Sequence, residues 1–162
     1  MHSRRFFLMA STAAASLMLP RAGRAASPQG AFEVQKTEDE WRKILSPEAF
    51  YVLRKHGTER AFTSPLDKTY SKGMYHCAGC DLPLFSSDTK YDSRTGWPSF
   101  FKPIDNAIGT TTDWKLLYPR TEVHCRRCGG HLGHVFEDGP KPTGLRYCMN
   151  GVAMKFVAAK QD

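Results

Sequence analysis

Two Cys-x-x-Cys pairs constrain this sequence more than any other feature. The first pair is Cys77 and Cys80, the second is Cys125 and Cys128, and 44 residues separate the inner cysteines. Each pair fits a tight turn, and two facing turns bring four thiolates to the corners of a tetrahedron, the geometry of structural zinc. Two disulfides, or a redox pair of the kind that opens a helix, are the alternatives. The spacing predicts one structural zinc ion held by all four cysteines.

The fifth cysteine, Cys148, lies in the run Arg-Tyr-Cys-Met-Asn at residues 146–150. In a strand, Arg146, Cys148 and Asn150 project from one face. A guanidinium two residues away favours the thiolate, so the pattern predicts a lowered pKa of Cys148 and a reactive sulfur. Asn150 can donate a hydrogen bond to an oxygen beside that sulfur. A buried structural thiol is the alternative.

Two other short runs contain candidate functional residues. His131 and His134, in His-Leu-Gly-His-Val-Phe, can serve as general acids near neutral pH; they also suit a surface position or a metal site. Trp97, in Gly-Trp-Pro-Ser-Phe, presents an indole beside a rigid proline. Such a ring can hold a methyl or methylsulfinyl group, or it can simply belong to the core. His76 and His124, each beside a zinc cysteine, are alternative ligands.

Residues 1–25 have the features of an export signal. Arg4 and Arg5 precede the apolar stretch Phe6–Leu19, whose 14 residues are too short to span a bilayer, and small residues lead to a cleavage point after Ala25. The order Ser-Arg-Arg-Phe-Phe-Leu at residues 3–8 is typical of twin-arginine signals. It predicts a periplasmic or exported protein that meets the twin-arginine translocase. An ordinary secretory signal or an uncleaved anchor is the alternative.

The charge balance argues against a nucleic-acid partner. The formal net charge is +7, but four of the 23 basic residues are arginines of the predicted signal. Without them 19 basic residues face 16 acidic ones, a balance of +3, which a zinc site with four thiolates reduces further. Such a domain has little long-range attraction for phosphates. We expect a monomer that binds no nucleic acid.

The 162 residues suffice for one domain after the signal. We assign residues 26–35 to a flexible lead-in and 36–158 to the domain. Thr37 and Glu40 form a capping box for a helix that ends near Leu45, and Ser46 caps a second helix that ends before Gly57. Short apolar runs between turn residues then predict an antiparallel β domain. The predicted strands are Gly73–His76, Leu84–Phe85, Ser99–Phe101, Val123–His124, Leu132–Phe136, Leu145–Met149 and Val152–Val157.

Taken in order, these motifs resemble the methionine-(R)-sulfoxide reductases of the B type. The resemblance runs from about Phe32 to Val157. It is carried by the two cysteine pairs and by Gly57-Thr58-Glu59-Arg60, Tyr91-Asp92-Ser93, Gly96-Trp97-Pro98-Ser99-Phe100, His131-Leu132-Gly133-His134-Val135-Phe136 and Arg146-Tyr147-Cys148-Met149-Asn150.

The resemblance implies a mainly β fold of two packed antiparallel sheets with short N-terminal helices and a structural zinc site away from the active site. It implies reduction of methionine (R)-sulfoxide in oxidised proteins and peptides. Cys148 would be the nucleophile, and Trp97 would hold the substrate methyl group, with Phe136 also lining the pocket. By the same resemblance, His131 and His134 would bind and protonate the sulfoxide oxygen, and Arg146 and Asn150 would tune and position the sulfur.

The sequence departs from a common pattern of that family at Thr95. Many members carry a resolving cysteine immediately before the Gly-Trp-Pro-Ser-Phe run, whereas this chain has threonine there. With four cysteines assigned to zinc, we expect a sulfenic acid on Cys148 that an external thiol reduces, either a thioredoxin-like protein or a small thiol. A zinc-ribbon-like binding module and a thiol peroxidase or general disulfide reductase are the alternative functions.

Overall fold

A computed structural model describes residues 32–114 and 118–160; the predicted export signal and residues 26–31 of the lead-in lie outside this part. The described residues contain two α-helices and nine β-strands. The elements are α1 (Glu38–Ile44), α2 (Pro47–Lys55), β1 (Gly73–Cys77), β2 (Pro83–Ser86), β3 (Lys90–Tyr91), β4 (Ser99–Phe100), β5 (Ile108–Asp113), β6 (Arg120–Cys125), β7 (His131–Phe136), β8 (Arg146–Met149) and β9 (Met154–Ala158).

Both helices begin at the predicted caps. The Thr37 side chain accepts a hydrogen bond from the Glu40 N–H, and the Glu40 carboxylate accepts one from the Thr37 N–H, which completes the capping box of α1. Ser46 accepts from the Ala49 N–H at the start of α2, with Pro47 in the first turn. The second helix ends at His56, which adopts left-handed backbone angles (φ 53°). Local capping chemistry therefore determines where both helices start.

The strands form two antiparallel sheets that pack on an aromatic core, as the sequence predicts. One sheet has the order β2-β1-β9 and the other the order β3-β4-β8-β7-β6-β5. Between them, Phe85 stacks on Phe100 with ring centroids 4.4 Å apart, and Tyr75 meets Phe100 edge-on at 4.9 Å. All three rings are fully buried. Each aromatic pair contributes about 0.5–1.5 kcal/mol beyond area burial.

The centre of the larger sheet places β8 between β4 and β7. In this register Cys148 lies opposite Ser99 on one side and opposite His134 on the other. Gly133, one residue before His134, is required by close approach, because a Cβ there would collide with the Cys148 carbonyl oxygen. The sheet thus brings the predicted nucleophile and a predicted histidine side by side.

Six of the seven predicted strands match observed strands to within a few residues. The seventh, Val152–Val157, begins later, at Met154, because residues Gly151–Ala153 form a 3-10 turn. The sequence analysis missed β3, which has two residues, and β5, an edge strand in which three consecutive threonines replace apolar alternation.

The start of the described chain makes contacts with the domain. Residues 32–35 were assigned to the flexible lead-in, yet the Val34 N–H donates to the Arg127 carbonyl oxygen at 3.0 Å. Glu33 also forms an ion pair with Arg126 at 2.6 Å.

Within residues 32–114 and 118–160, every helix is too short or too polar to cross a membrane.

Candidate active site

A small cavity of about 110 Å³ opens beside Cys148. The strand alternation works as predicted: Cys148 faces the cavity, whereas Met149 is fully buried and the Tyr147 ring lies 5.9 Å from Phe85 in the core between the sheets. Eight residues line the cavity, namely Thr58, Trp97, Arg120, Gly133, His134, Phe136, Cys148 and Asn150. The structure therefore gathers five of the seven predicted catalytic and substrate-binding residues, Cys148, His134, Asn150, Trp97 and Phe136, around one space.

The environment of Cys148 reverses the predicted shift of its pKa. Burial raises the pKa of the Cys148 thiol, and this effect outweighs the opposite influence of Thr95, Arg146 and Ser99. The prediction of a lowered pKa was wrong because spacing along a strand does not reveal how much water surrounds the sulfur. In the free protein at neutral pH, Cys148 is a thiol.

Arg146 is held against the adjacent loop and strand. Its guanidinium forms two parallel hydrogen bonds of 2.8 Å to the Asp138 carboxylate and lies 4.4 Å from the centre of the Phe136 ring. The pair with Asp138 and the contact with Phe136 fix the guanidinium, which itself does not line the cavity. Arg146 thus packs against Phe136, and its influence lowers the pKa of Cys148 less than burial raises it.

His134 enters the cavity from β7 with its orientation fixed by an acid. Nε2 of His134 donates to Oδ2 of Asp113 at 2.8 Å, and Nη2 of Arg120 donates to the same oxygen at 2.7 Å. Burial lowers the pKa of His134 despite the hydrogen bond to Asp113, which opposes it. His134 is therefore a neutral imidazole near pH 7, with Nδ1 as its unprotonated nitrogen.

Asp113 and Arg120 are functional residues that the sequence analysis missed. They lie directly opposite each other on β5 and β6, and Arg120 reaches the cavity. The signal that could have found them is the Thr-Thr-Thr-Asp run, which contains β-branched residues typical of a strand. The run lacks the apolar residues by which the other strands are predicted.

His131 lies beside the cavity and does not line it. Its ring is buried, and its centroid lies 5.4 Å from that of His134. Nδ1 of His131 and Nδ1 of His56 both contact Oε1 of Glu122, at 2.7 and 2.9 Å. Burial alone would raise the pKa of Glu122, but these two contacts hold it far below its usual range. His131 thus packs behind His134 as part of a charged cluster.

Thr95 lies next to Cys148. Its hydroxyl oxygen is 3.9 Å from Sγ of Cys148 and 2.8 Å from the Ser93 hydroxyl, which in turn contacts Ser99 at 2.7 Å. A chain of three hydroxyl groups therefore flanks the sulfur on the side of β4. The residue at the position of a resolving cysteine is within contact distance of Cys148.

Trp97 and Asn150 face the same cavity from different segments. The indole N–H of Trp97 donates to the Glu59 carbonyl oxygen at 3.2 Å. Asn150 is buried; its Oδ1 accepts from the Glu59 N–H at 2.9 Å and its Nδ2 donates to the Leu132 carbonyl oxygen at 2.9 Å. The sequence predicts that the Asn150 amide can donate to an oxygen beside the sulfur, whereas here both of its ends make hydrogen bonds to the backbone.

The other four cysteines converge at a separate place. Cys77 and Cys80 flank the β1–β2 turn, Cys125 and Cys128 flank the β6–β7 turn, and their four sulfurs all lie within 4.8 Å of one another. The Sγ–Sγ distances are 3.7 Å between Cys77 and Cys128 and 3.5 Å between Cys80 and Cys125. A tetrahedron with zinc–sulfur distances of about 2.3 Å has edges of about 3.8 Å, so the cluster fits the ion. All five cysteines are free of disulfides.

Comparisons with known proteins all match one family. The SelR domain family matches residues 45–158. The peptide methionine sulfoxide reductase MsrB of Leptospira interrogans is 53% identical over 126 residues, which cover 77% of this chain and 96% of that protein. Proteins of the same name from Agrobacterium fabrum and Pseudomonas putida are each 54% identical over 125 residues, which cover 76% of this chain and 93% and 94% of those proteins.

Proposed function

The chain belongs to the SelR family of peptide methionine sulfoxide reductases, and on that basis we propose that it reduces the R epimer of methionine sulfoxide in proteins. One observation supports this choice above the others. A single thiol, separate from the four-cysteine cluster, opens into a cavity of about 110 Å³ that Trp97 and Phe136 also line. That space suits a methylsulfinyl group, with the indole face against the methyl group.

The chemical step uses a proton that the thiol itself supplies. Sγ of Cys148 attacks the sulfoxide sulfur while its proton passes to the neutral imidazole of His134 and on to the sulfoxide oxygen. The S–O bond of the substrate then breaks as the protonated oxygen transfers to Sγ to give a sulfenic acid, and the transient bond between Sγ and the substrate sulfur breaks as the thioether leaves. The substrate sulfur gains two electrons, Cys148 loses two, and the step needs no external proton.

The position of His134 supports this role. His134 and Cys148 are directly opposed on neighbouring antiparallel strands, where Cβ atoms lie about 4.5–5.5 Å apart. Asp113 holds the Nε2–H, so Nδ1 is the nitrogen that accepts the thiol proton. Arg120 forms an ion pair with the same carboxylate, which holds Asp113 beside the ring.

We further propose that an external thiol completes the cycle. The sulfenic acid reacts with one thiol to give a mixed disulfide and water, and a second thiol releases Cys148 and a disulfide. Thr95 offers a hydroxyl at 3.9 Å where a second thiol would be needed for an internal route. A thioredoxin-like protein or a small thiol is the expected reductant.

After substrate treatment without reductant, mass spectrometry should find one added oxygen on Cys148. A disulfide from Cys148 to a cysteine of the four-cysteine cluster contradicts this route.

The four-cysteine cluster is proposed to hold one structural zinc ion. Cys77, Cys80, Cys125 and Cys128 supply four soft thiolate ligands at tetrahedral spacing, which leaves no open position for substrate. When bound, the ion links the β1–β2 and β6–β7 turns and takes no part in the reaction.

We propose that the enzyme is exported in the folded state. The support is the sequence of residues 1–25, whose paired arginines suit the twin-arginine route and hence the periplasm or the exterior. Folding before export would also protect the zinc thiolates from oxidants outside the cytoplasm. Replacing residues 1–25 by a signal for unfolded chains should give exported protein with little zinc, whereas full zinc occupancy by that route contradicts the idea.

The test of the proposed function uses separated epimers. Purified protein is incubated with dithiothreitol and either the R or the S epimer of methionine sulfoxide in a short peptide. Only the R epimer should be consumed, and Cys148→Ser should consume neither. Equal consumption of both epimers, or turnover that survives the serine substitution, overturns the assignment.

A further inference from the structure

Glu59 is a charged residue beside the cavity that no step above uses. It belongs to the segment Gly57-Thr58-Glu59-Arg60, which follows α2, and its neighbour Thr58 lines the cavity. The Glu59 carbonyl oxygen accepts the indole N–H of Trp97 at 3.2 Å, and the Glu59 N–H donates to Oδ1 of Asn150 at 2.9 Å. The backbone of a single residue thus contacts both sides of the cavity.

The carboxylate of Glu59 fixes this residue to the end of β8. Oε1 accepts from the Gly151 N–H at 2.5 Å and Oε2 accepts from the Val152 N–H at 3.0 Å, so both oxygens cap the 3-10 turn Gly151–Ala153. The packing here is close, because a Cβ at Gly151 would collide with Ser64 and lie 3.3 Å from Oε1. Charged hydrogen bonds of this kind are roughly twice as strong as neutral ones.

These contacts form a continuous series around the cavity. The series runs from the Trp97 indole to Glu59, from Glu59 to Asn150, and from Asn150 to the Leu132 carbonyl oxygen on β7. Cys148 is held independently, by pairing of β8 with β4 and β7. Loss of the Glu59 carboxylate should therefore release the indole while the sulfur stays in place.

We propose that Glu59 is a positioning residue that sets the separation between the Trp97 indole and Sγ of Cys148. The inference rests on the proposed function, in which the substrate methyl group lies against that indole. Displacement of the Trp97 indole by about 1 Å weakens substrate binding substantially. Since the indole contacts the substrate both before and during the reaction, its displacement raises KM more than it lowers kcat.

The experiment compares Glu59→Ala, Glu59→Gln and the control Glu48→Gln, an exposed acid on α2. Each protein is assayed with an R-sulfoxide peptide and dithiothreitol, and the alkylation rate of Cys148 by iodoacetamide is measured by mass spectrometry. For Glu59→Ala we expect KM to rise about tenfold, kcat to change less than about threefold, and the alkylation rate to stay unchanged. Glu59→Gln, which keeps one acceptor oxygen, should show a smaller rise, and Glu48→Gln none.

A double-mutant cycle with Trp97→Phe isolates the hydrogen bond between the indole N–H and the Glu59 carbonyl oxygen. Phenylalanine lacks the indole N–H, so the effect of Glu59→Gln on KM should shrink in that background. An unchanged KM in both Glu59 variants overturns the proposal. So does a parallel loss of thermal midpoint and activity with faster alkylation of Cys148, because that result indicates a general loosening of the fold.

If Glu59→Ala does not fold, Glu59→Gln and the cycle decide the outcome alone. Failure of this inference is distinguishable from failure of the proposed function. In the first case the unaltered protein consumes the R epimer and the Glu59 variants match it. In the second case the unaltered protein consumes neither epimer, or consumes both equally.

Discussion

The five cysteine sulfurs of this chain lie in two regions with different surroundings. At the β1–β2 and β6–β7 turns, four sulfurs lie within 4.8 Å of one another, positioned to bind a shared metal ion. On β8, Cys148 is surrounded by hydroxyl groups, an imidazole and an indole, with 3.9 Å to the Thr95 oxygen. The role of a thiol here depends on its neighbours: the arrangement in the first region suits metal ligands, and that in the second suits the proposed nucleophile.

Removal of a metal from the first region should produce the largest effect, because it should destabilise the whole fold. Structural zinc binds small domains with apparent free energies of about 10–16 kcal/mol, which equals or exceeds the stability of a typical domain. We expect Cys125→Ser, or chelation of the ion, to unfold the protein at ambient temperature. Circular dichroism and zinc per chain provide the measurement. A metal-free chain with an unchanged melting midpoint contradicts a structural role.

The matched change in the second region should leave the fold intact and abolish catalysis. Cys148→Ser replaces the nucleophile by a hydroxyl that attacks sulfur poorly, so the rate should fall at least about 10³-fold. Zinc content and melting midpoint should stay at the values of the unaltered protein. If the serine variant loses zinc, the two regions are not independent and the comparison fails.

The pH dependence of kcat/KM should reveal the burial of Cys148 and His134. Because burial lowers the pKa of His134 and raises that of Cys148, the thiol and neutral imidazole coexist across a wide range around neutrality. The value of kcat/KM should stay level there, fall on the acid side below the ordinary histidine pKa of about 6.5, and fall again above the ordinary cysteine pKa of about 8.5. His134→Asn should lower the rate about 10²-fold and remove the acid limb.

The pH dependence of Cys148 alkylation serves as the control for that interpretation. Only the thiolate reacts with iodoacetamide, so the rate should still be rising at pH 9. A plateau already reached at pH 7 would mean that the thiol ionises easily in the free protein, as the sequence pattern alone had suggested.

The smallest expected effect concerns Thr95→Cys. A thiol at this position starts near Sγ of Cys148, and a disulfide needs sulfurs about 2.05 Å apart with a suitable dihedral angle. We expect an internal disulfide after one turnover without reductant and a gain of a few fold in thioredoxin-supported turnover. Thr95→Ser, which keeps the hydroxyl, is the matched control. Persistence of the sulfenic acid in Thr95→Cys shows that the loop geometry forbids the internal route.

The features that the sequence could predict depend on residues that lie close together in the chain. Thr37 with Glu40 and Ser46 with Pro47 identified both helix starts because a cap acts within one turn. The cysteine pairs identified the cluster because their spacing is itself the ligand geometry. The alternation in β8 correctly placed Cys148 and Met149 on opposite faces.

What the sequence could not predict depends on contacts between distant segments. Asp113 gains its role only because β5 and β6 place it opposite Arg120 and beside His134. The pKa of Cys148 depends on how deeply β8 is covered, and the two ends of the Asn150 amide are engaged by Glu59 and Leu132. These facts arise from packing and from strand order, which spacing along the chain does not encode.

The course of β7 links the two regions mechanically. The strand begins at His131, three residues after Cys128, and reaches the cavity at His134. Side chains of a strand alternate with a period of two, so a slip by a single position would turn His134 to the wrong side of the sheet. By anchoring one end of this strand, the proposed zinc ion would keep the His134 imidazole in register with the Cys148 thiol across the ladder. An ion that never meets the substrate would then affect catalysis through alignment alone.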